Sequence, residues 1–308
     1  MNRYATLDIG TNTVLLLVAE PAEGRFRPVL ERAEITRLGK SVDRTGRLDD
    51  GAIEATVAAV TRFAAEARAL GAVKIACVAT SASRDAANGA PFRERLRREA
   101  GVEAEIISGD LEAQLTYGSA ARELGDGTPL AVLDIGGGST ELVLGEAGRV
   151  SFKRSFDIGS VRLTERFVRA DPPTGAEREA MERFVDETFA EAPCPPPGFR
   201  LVGIAGTVTT VYAVRHGIEP YDSTKVHLAT MPFDDVRAER ERFFALGVEE
   251  RRALRGMEPK RADVIAAGSL ILERAMARLG AAEVVVSDRG IRWGLLYERF
   301  GEALAAAR

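Results

Sequence analysis

Short apolar runs alternate with amphipathic stretches along the whole chain, and their periods predict a mixed α/β protein. LDIGTNTVLLLV, starting at Leu7, is two apolar runs split by a polar turn, the pattern of a β-turn-β unit, and Arg25 to Leu38 continues as extended chain. Ile53, Val57, Val60, Phe63, Ala67 and Leu70 fall at helical spacing, predicting a helix over Asp49 to Leu70 that Gly71 can cap. A buried strand at Val73 to Ala79, a polar helix near Pro91 to Ala100 and a strand at Glu103 to Ile107 follow. A turn at Ser108-Gly109 then opens a helix at Asp110. Gly125 to Pro129 is a strong loop signal and the best domain boundary. Beyond it the pattern predicts a hairpin over 130 to 155, a helix from Gly175 to Glu191 and a strand at Arg200 to Ile204. A helix after Gly203 to Thr207, a helix over Pro259 to Leu279, a strand at Glu283 to Ser287 and a final helix complete it. Ala192 to Gly198, rich in proline, reads as a rigid connector.

One pattern occurs twice. LDIGGGSTELVL, starting at Leu133, repeats Leu, Asp, Ile and Gly of the first loop in a row and places Ser139 over Thr13. A glycine at the tip of such a turn lets backbone N–H groups approach an anion closely, and an aspartate entering the turn suits a magnesium ion that bridges phosphate oxygens. An ordinary hairpin turn competes with this reading for the first copy. In the second, Gly136 to Gly138 followed by Ser139, Thr140 and Glu141 is more than a turn requires. Two such units imply two similar domains facing one polyphosphate group.

Three other segments lie where predicted strands end and helices begin, the position of ligands in open α/β sheets. Thr80 to Arg84 offers hydroxyls and a guanidinium to an anion, against the plainer reading of an N-cap with a surface arginine. Gly203 to Thr210 sets small residues and threonines at a helix N-terminus, where packing is the equal alternative. Ser108 to Glu112 puts carboxylates in a first helical turn, which alone would be no more than favourable dipole partners. Arg93, Arg97, Arg98, Lys260 and Arg261 could line an entry path, although for the 93 to 98 cluster a solvated helix face is the better reading.

Composition narrows the class. The 308 residues suit two domains at about 100 to 200 residues each. A net charge of -4 argues against general nucleic-acid binding. No apolar run approaches the roughly 18 residues of a membrane span and no signal pattern opens the chain, so a cytoplasmic protein is expected. Cys77 and Cys194 lie far apart without metal-ligand spacing, and His216 and His227 are the only histidines, which disfavours zinc or histidine-based metal chemistry.

The motifs DIGTNT, ATSASR, ISGDLEA, LDIGGGSTELVLG, FDIGSVRLTERF, GIAGTVTT, RADVI and VSDRGIRWGLLYE, in this order, closely resemble the Ppx/GppA family of exopolyphosphatases and guanosine pentaphosphate phosphatases. The resemblance implies an α/β fold of the actin-like ATPase superfamily, with two ribonuclease-H-like domains and an interdomain active-site cleft. The first domain is expected over 1–124, with a last helix at 298–308 packing back on it, and the second over 125–297. The length is similar to that of the two-domain members that lack HD-type domains, and the scarcity of histidine agrees. Carried over by position, the catalytic carboxylate is Glu112, and the metal-site acids are Asp134 and Glu141, with Asp8 acting through water. The phosphate-binding residues are Asn12, Thr13, Arg84, Gly136, Gly137, Gly138, Ser139, Gly206 and Thr207. Mg²⁺ is the implied cofactor, with Mn²⁺ as alternative, and a homodimer is the assembly considered.

Leu111 and Gln114 stand where the family often has an acid and an arginine, and Trp293 where a polar residue is usual; packing would account for the tryptophan. The implied activity is release of terminal phosphate from inorganic polyphosphate, short or medium chains favoured, with pppGpp as the alternative substrate. No nucleic acid or membrane partner is expected. An acceptor kinase of the same superfamily and a non-catalytic polyphosphate sensor are the rival readings. The first lacks an evident adenosine pocket, and the second conflicts with the retained acids.

Overall fold

The computed structural model describes residues 2–306. The chain divides into two compact units, one taking the chain up to Ser119 and again from Ile291, the other Ala120–Gly290. The first boundary therefore falls inside the Gly109–Leu124 helix rather than at the Gly125 loop, and the chain rejoins the first unit at Ile291 rather than at 298.

In the first unit, β1 (Arg3–Ile9), β2 (Thr13–Ala22), β3 (Arg25–Ile35), β4 (Ala72–Ala79) and β5 (Ala104–Ile106) form a sheet of order β3-β2-β1-β4-β5. β1, β2 and β3 pair antiparallel, whereas β4 and β5 add in parallel. β2 is apolar at every position from Val14 to Ala19 because both its faces are covered. Leu16 and Val18 face a core with Ile53, Val57, Val60 and Phe63 of the Asp50–Ala69 helix. Leu17 and Ala19 point the other way, into a cluster with Trp293, Leu296 and Phe300 of the Ile291–Phe300 helix. Trp293 is 1% exposed there, so packing is what the tryptophan does. The Asp50–Ala69 helix starts where Asp49 accepts from the Ala52 N–H at 3.0 Å, removing one of the free donors of its first turn.

The second unit repeats the plan. β6 (Leu130–Ile135), β7 (Thr140–Glu146), β8 (Arg149–Phe156), β9 (Arg200–Ile204), β10 (Thr230–Pro232) and β11 (Glu283–Ser287) have the order β10-β11-β9-β6-β7-β8. Read from β8, this is the order of the first sheet with β10 added antiparallel at the edge. Each unit is thus ribonuclease-H-like and the protein is α/β, as the motifs implied. The core lies between this sheet and helices that include Ala205–His216 and Ile265–Leu279.

Some elements differ from the periodic reading. Pro259–Arg261 is a separate short turn and the long helix starts only at Ile265. The expected helix at 91–100 is Gly89–Arg95 followed by a wider π turn at Leu96–Ala100. Helices Ser160–Phe167 and Phe233–Ala245 were not foreseen. Among the described residues, no helix is long and apolar enough to cross a membrane.

Candidate functional site

The two related loops close in the same way. Gly10 N–H donates to Thr13 O at 3.0 Å, and Gly136 N–H donates to Ser139 O at 3.0 Å. Each loop lies at the end of the central strand, beside the parallel neighbour that carries the next predicted segment. β4 delivers Thr80 beside Ile9, with Thr80 N–H donating to Ile9 O at 3.1 Å, and β9 pairs Ile204 with Asp134.

In the first unit the Thr11-Asn12 tip is held from behind. Asn12 O accepts from the N–H groups of Thr36 and Arg37 at 3.1 and 3.0 Å, and Thr11 O accepts from Gly39 at 2.8 Å. Thr11 Oγ1 accepts from the Ala82 N–H at 3.3 Å, which joins the loop to the Thr80–Arg84 segment. Asn12 Nδ2 and Ser83 Oγ are buried without a hydrogen-bond partner, two polar atoms of the kind that a bound anion would satisfy. Arg84 Nη1 donates to Ile107 O at 2.8 Å and to Glu112 Oε2 at 3.3 Å, bringing together two of the expected site residues. Glu112 is 5% exposed. Asp8 is buried as well; burial, and then the charge of Asp8, push the Cys77 thiol above its ordinary value. Arg97 pairs with Glu94 at 2.7 Å and Arg98 with Glu99 at 2.8 Å on an exposed face, in keeping with the solvated-face reading of that cluster.

In the second unit Asp134 and Glu141 are direct register partners across β6 and β7, so their side chains leave the sheet on one face. They are 5% and 1% exposed, and Ser155, the register partner of Glu141 on β8, donates to Glu141 Oε1 at 2.6 Å. Two buried carboxylates on one face form an oxygen donor set that fits a hard divalent cation. In the first unit the register partner of Asp8 is Leu15, so that loop offers one acid where the second offers two. Among the described residues no group of three or more His, Cys, Asp and Glu side chains is gathered for a metal.

The Gly136–Gly138 loop is fixed through its carbonyls. Gly136 O accepts from Ser160 N–H at 3.0 Å, and Gly137 O from the N–H groups of Val161 and Arg162 at 2.9 and 3.0 Å. Gly138 O accepts from Arg162 Nε at 2.7 Å. The first turn of the Ser160–Phe167 helix therefore spends its free donors on the loop. At Gly159 a Cβ would lie 2.4 Å from Gly137 C, so only glycine fits beneath the loop. Neither Gly159 nor Arg162 was singled out from the sequence, although both lie inside a quoted motif, FDIGSVRLTERF. Gly206 and Thr207 open the Ala205–His216 helix, and Ala205 adopts a left-handed φ of 72°. The Arg261 guanidinium covers Gly206: a Cβ there would lie 1.9 Å from Arg261 Nη1. Burial pulls Arg261 below the ordinary guanidinium value, against the opposing influence of Glu258 and Tyr221. The second unit so gathers Asp134, Glu141, the glycine loop and the Gly206 turn; the first gathers Asn12, Arg84 and Glu112.

Comparison with known proteins supplies the family. Residues 17–303 match the Ppx/GppA phosphatase family. The chain is 38% identical to Exopolyphosphatase 2 of Mycobacterium tuberculosis over 312 aligned positions, covering 96% of this chain and 98% of that protein. The crystal structure of the Aquifex aeolicus member of the Ppx/GppA family superposes with a TM-score of 0.83 at 34% identity, covering 98% of each chain. An exopolyphosphatase from Cytophaga hutchinsonii superposes with a TM-score of 0.89 at 25% identity, again over 98% of each.

Proposed function

The chain belongs to the Ppx/GppA phosphatase family and is a hydrolase of phosphoanhydride bonds; on that premise we propose that it releases terminal phosphate from inorganic polyphosphate of short to medium length, in the cytoplasm. The observation that carries this choice of substrate is the likeness to Exopolyphosphatase 2 of M. tuberculosis across 98% of that protein's length.

In the proposed reaction, Glu112 takes a proton from water as its oxygen attacks the terminal phosphorus, and the bond from that phosphorus to the bridging oxygen breaks. The shortened polyphosphate leaves with the electron pair. Arg84, which donates to Glu112, holds that carboxylate in place and presents positive charge to phosphoryl oxygens. Asn12 and Thr13 in the first loop, and Gly136 to Ser139, Gly206 and Thr207 in the second unit, are the proposed donors to phosphate. Asp134 and Glu141 would hold Mg²⁺, or Mn²⁺, with Asp8 acting through water; the cation would supply charge neutralisation at phosphate oxygens.

The test is phosphate release with Mg²⁺ from defined polyphosphates and from pppGpp side by side, with Glu112→Gln as control. Preferential release from polyphosphate that falls by about 10²- to 10⁴-fold in the variant is expected. Preference for pppGpp would replace polyphosphate as the substrate, a reading that the guanosine pentaphosphate phosphatases within the family favour. Silence on both substrates would overturn the proposal and return the kinase and sensor readings.

A further inference from the structure

A cluster outside the phosphate loops surrounds His227, within the second unit. His227 Nε2 lies 2.8 Å from Glu123 Oε2, and Nδ1 lies 3.2 Å from Asp288 Oδ1. Ser287 Oγ stands 3.5 Å from the same Nδ1 and accepts from the Arg289 N–H at 3.1 Å. The Arg289 guanidinium reaches back to pair with Glu123. A neutral imidazole has one N–H and one lone pair, so it can donate to only one carboxylate while the other meets a lone pair. A ring with hydrogen on both nitrogens donates to both and shares its charge between them. Burial works to raise the Glu123 carboxyl, and the hydrogen bond from His227, with the charges of His227 and Arg289, outweighs burial and leaves it below its ordinary value.

The backbone fixes where the ring can be. Leu228 adopts a left-handed φ of 63°, costly for a bulky side chain, and the 228–229 segment is bonded to the end of β11: Leu228 N–H donates to Val286 O, and Val286 N–H donates to Ala229 O, both at 2.7 Å. The ring is thereby set over the Ser287–Gly290 turn. That turn ends beside the expected metal acid: a Cβ at Gly290 would stand 3.8 Å from Asp134 Oδ2 and 3.0 Å from Ile204 Cγ2.

We infer that His227 is a positioning residue, which by donating from both ring nitrogens to Glu123 and Asp288 holds the Ser287–Gly290 turn against the Asp134 carboxylate. The inference rests on the reading of Asp134 as a cation ligand in phosphate release. Without the ring, Glu123 and Asp288 lose the donor that stands between them, and the turn loses a tie to the Gly109–Leu124 helix.

The experiment compares the full chain with His227→Gln by Mn²⁺ titration calorimetry, by hydrogen exchange of the 287–291 segment, and by the Mg²⁺ dependence of phosphate release from polyphosphate. The variant is expected to bind Mn²⁺ about 10-fold more weakly, the scale for losing an outer partner of a metal ligand. Exchange at 287–291 should accelerate while the remaining segments keep their protection. The Mg²⁺ requirement should rise, with KM for polyphosphate unchanged. Asp288→Asn, which keeps an acceptor but removes its charge, serves if the first variant fails to fold. Equal Mn²⁺ affinity in variant and parent overturns the inference, as does faster exchange with no change in metal dependence, since His227 would then be only structural. A parent that binds Mn²⁺ more tightly than the variant yet releases no phosphate keeps this inference and sinks the phosphatase reading instead.

Discussion

Arg84 Nη1 donates to Glu112 Oε2 across 3.3 Å, tying the segment after β4 to the first turn of the Gly109–Leu124 helix. The same nitrogen donates to Ile107 O at 2.8 Å, so the guanidinium is anchored to the backbone while it orients the carboxylate. Lysine keeps the charge but is a point donor on a flexible stem and cannot reproduce both contacts with fixed geometry. Arg84→Lys is therefore expected to lower kcat by about 10²-fold, the scale of a 1 Å misplacement of a reacting group. Its melting temperature should barely move. Steady-state phosphate release beside a thermal melt checks this; an unchanged kcat would detach Arg84 from the reaction.

Gly159 is the floor of the triple-glycine loop. An added Cβ would sit 2.4 Å from both C and O of Gly137, and the loop backbone has no flexible side chain that could give way. Gly159→Ala should cost about 1–3 kcal/mol of stability through overpacking. Phosphate release should fall far more than that loss of folded protein explains. Gly175→Ala is the matched control, because nothing lies within 4 Å of the Cβ position there. Denaturant midpoints and activities of the two variants give the comparison, and equal behaviour would remove the loop's proposed role.

Ala205 holds φ at 72° where the chain turns from β9 into the Ala205–His216 helix. An L-residue in the left-handed region costs roughly 1–2 kcal/mol, a penalty that glycine avoids while adding unfolded-state entropy of its own. Ala205→Gly should accordingly stabilise the protein by up to about 1 kcal/mol, read from urea unfolding. A destabilised variant would mean that the methyl group packs usefully enough to offset the backbone strain.

The repeated hairpins were legible because their turns carry the same letters and β pairing follows directly from hairpin arithmetic: a turn at Gly136–Ser139 makes Asp134 and Glu141 partners. The continuous apolar run of β2 was legible as the second strand of its hairpin. What sequence periodicity concealed depended on contacts between segments remote in the chain. The Phe233–Ala245 helix reads as a charged surface stretch, yet Glu239 and Arg240 are 3% and 4% exposed, and Arg240 pairs with Glu182 at 2.9 Å. Thr230–Pro232 is three residues ending in proline, too short to signal a strand, and is held only at a sheet edge. The boundary at Ser119 was hidden because the helix runs through it unbroken, with the loop signal only after its end. The Arg162 clamp on the glycine loop needs the Ser160–Phe167 helix in place before the side chain has anything to hold.

The loop that follows the Gly109–Leu124 helix carries a charge whose removal by acid has a definite sign. The Asp126 carboxyl is held down from 3.8 to about 2, first by the Thr128 hydroxyl, then by the Thr128 N–H, with burial opposing and Arg200 assisting. Thr128 N–H donates to Oδ1 at 3.0 Å and Arg200 Nη2 to Oδ2 at 3.2 Å, which fastens the loop to the start of β9, where Arg200 N–H also donates to Pro129 O at 2.8 Å. A carboxyl that binds protons more weakly when folded than when unfolded stabilises the fold fully above its unfolded value, and this contribution disappears as pH falls through its folded value. Asp126→Asn should therefore melt below the parent at neutral pH, with the gap narrowing below 3.8 and closing as pH reaches about 2. Circular-dichroism melts of both proteins across that range test it. A gap of the same size at both ends would show that the loop depends on the shape of the Asp126 side chain and its hydrogen bonds rather than on its charge.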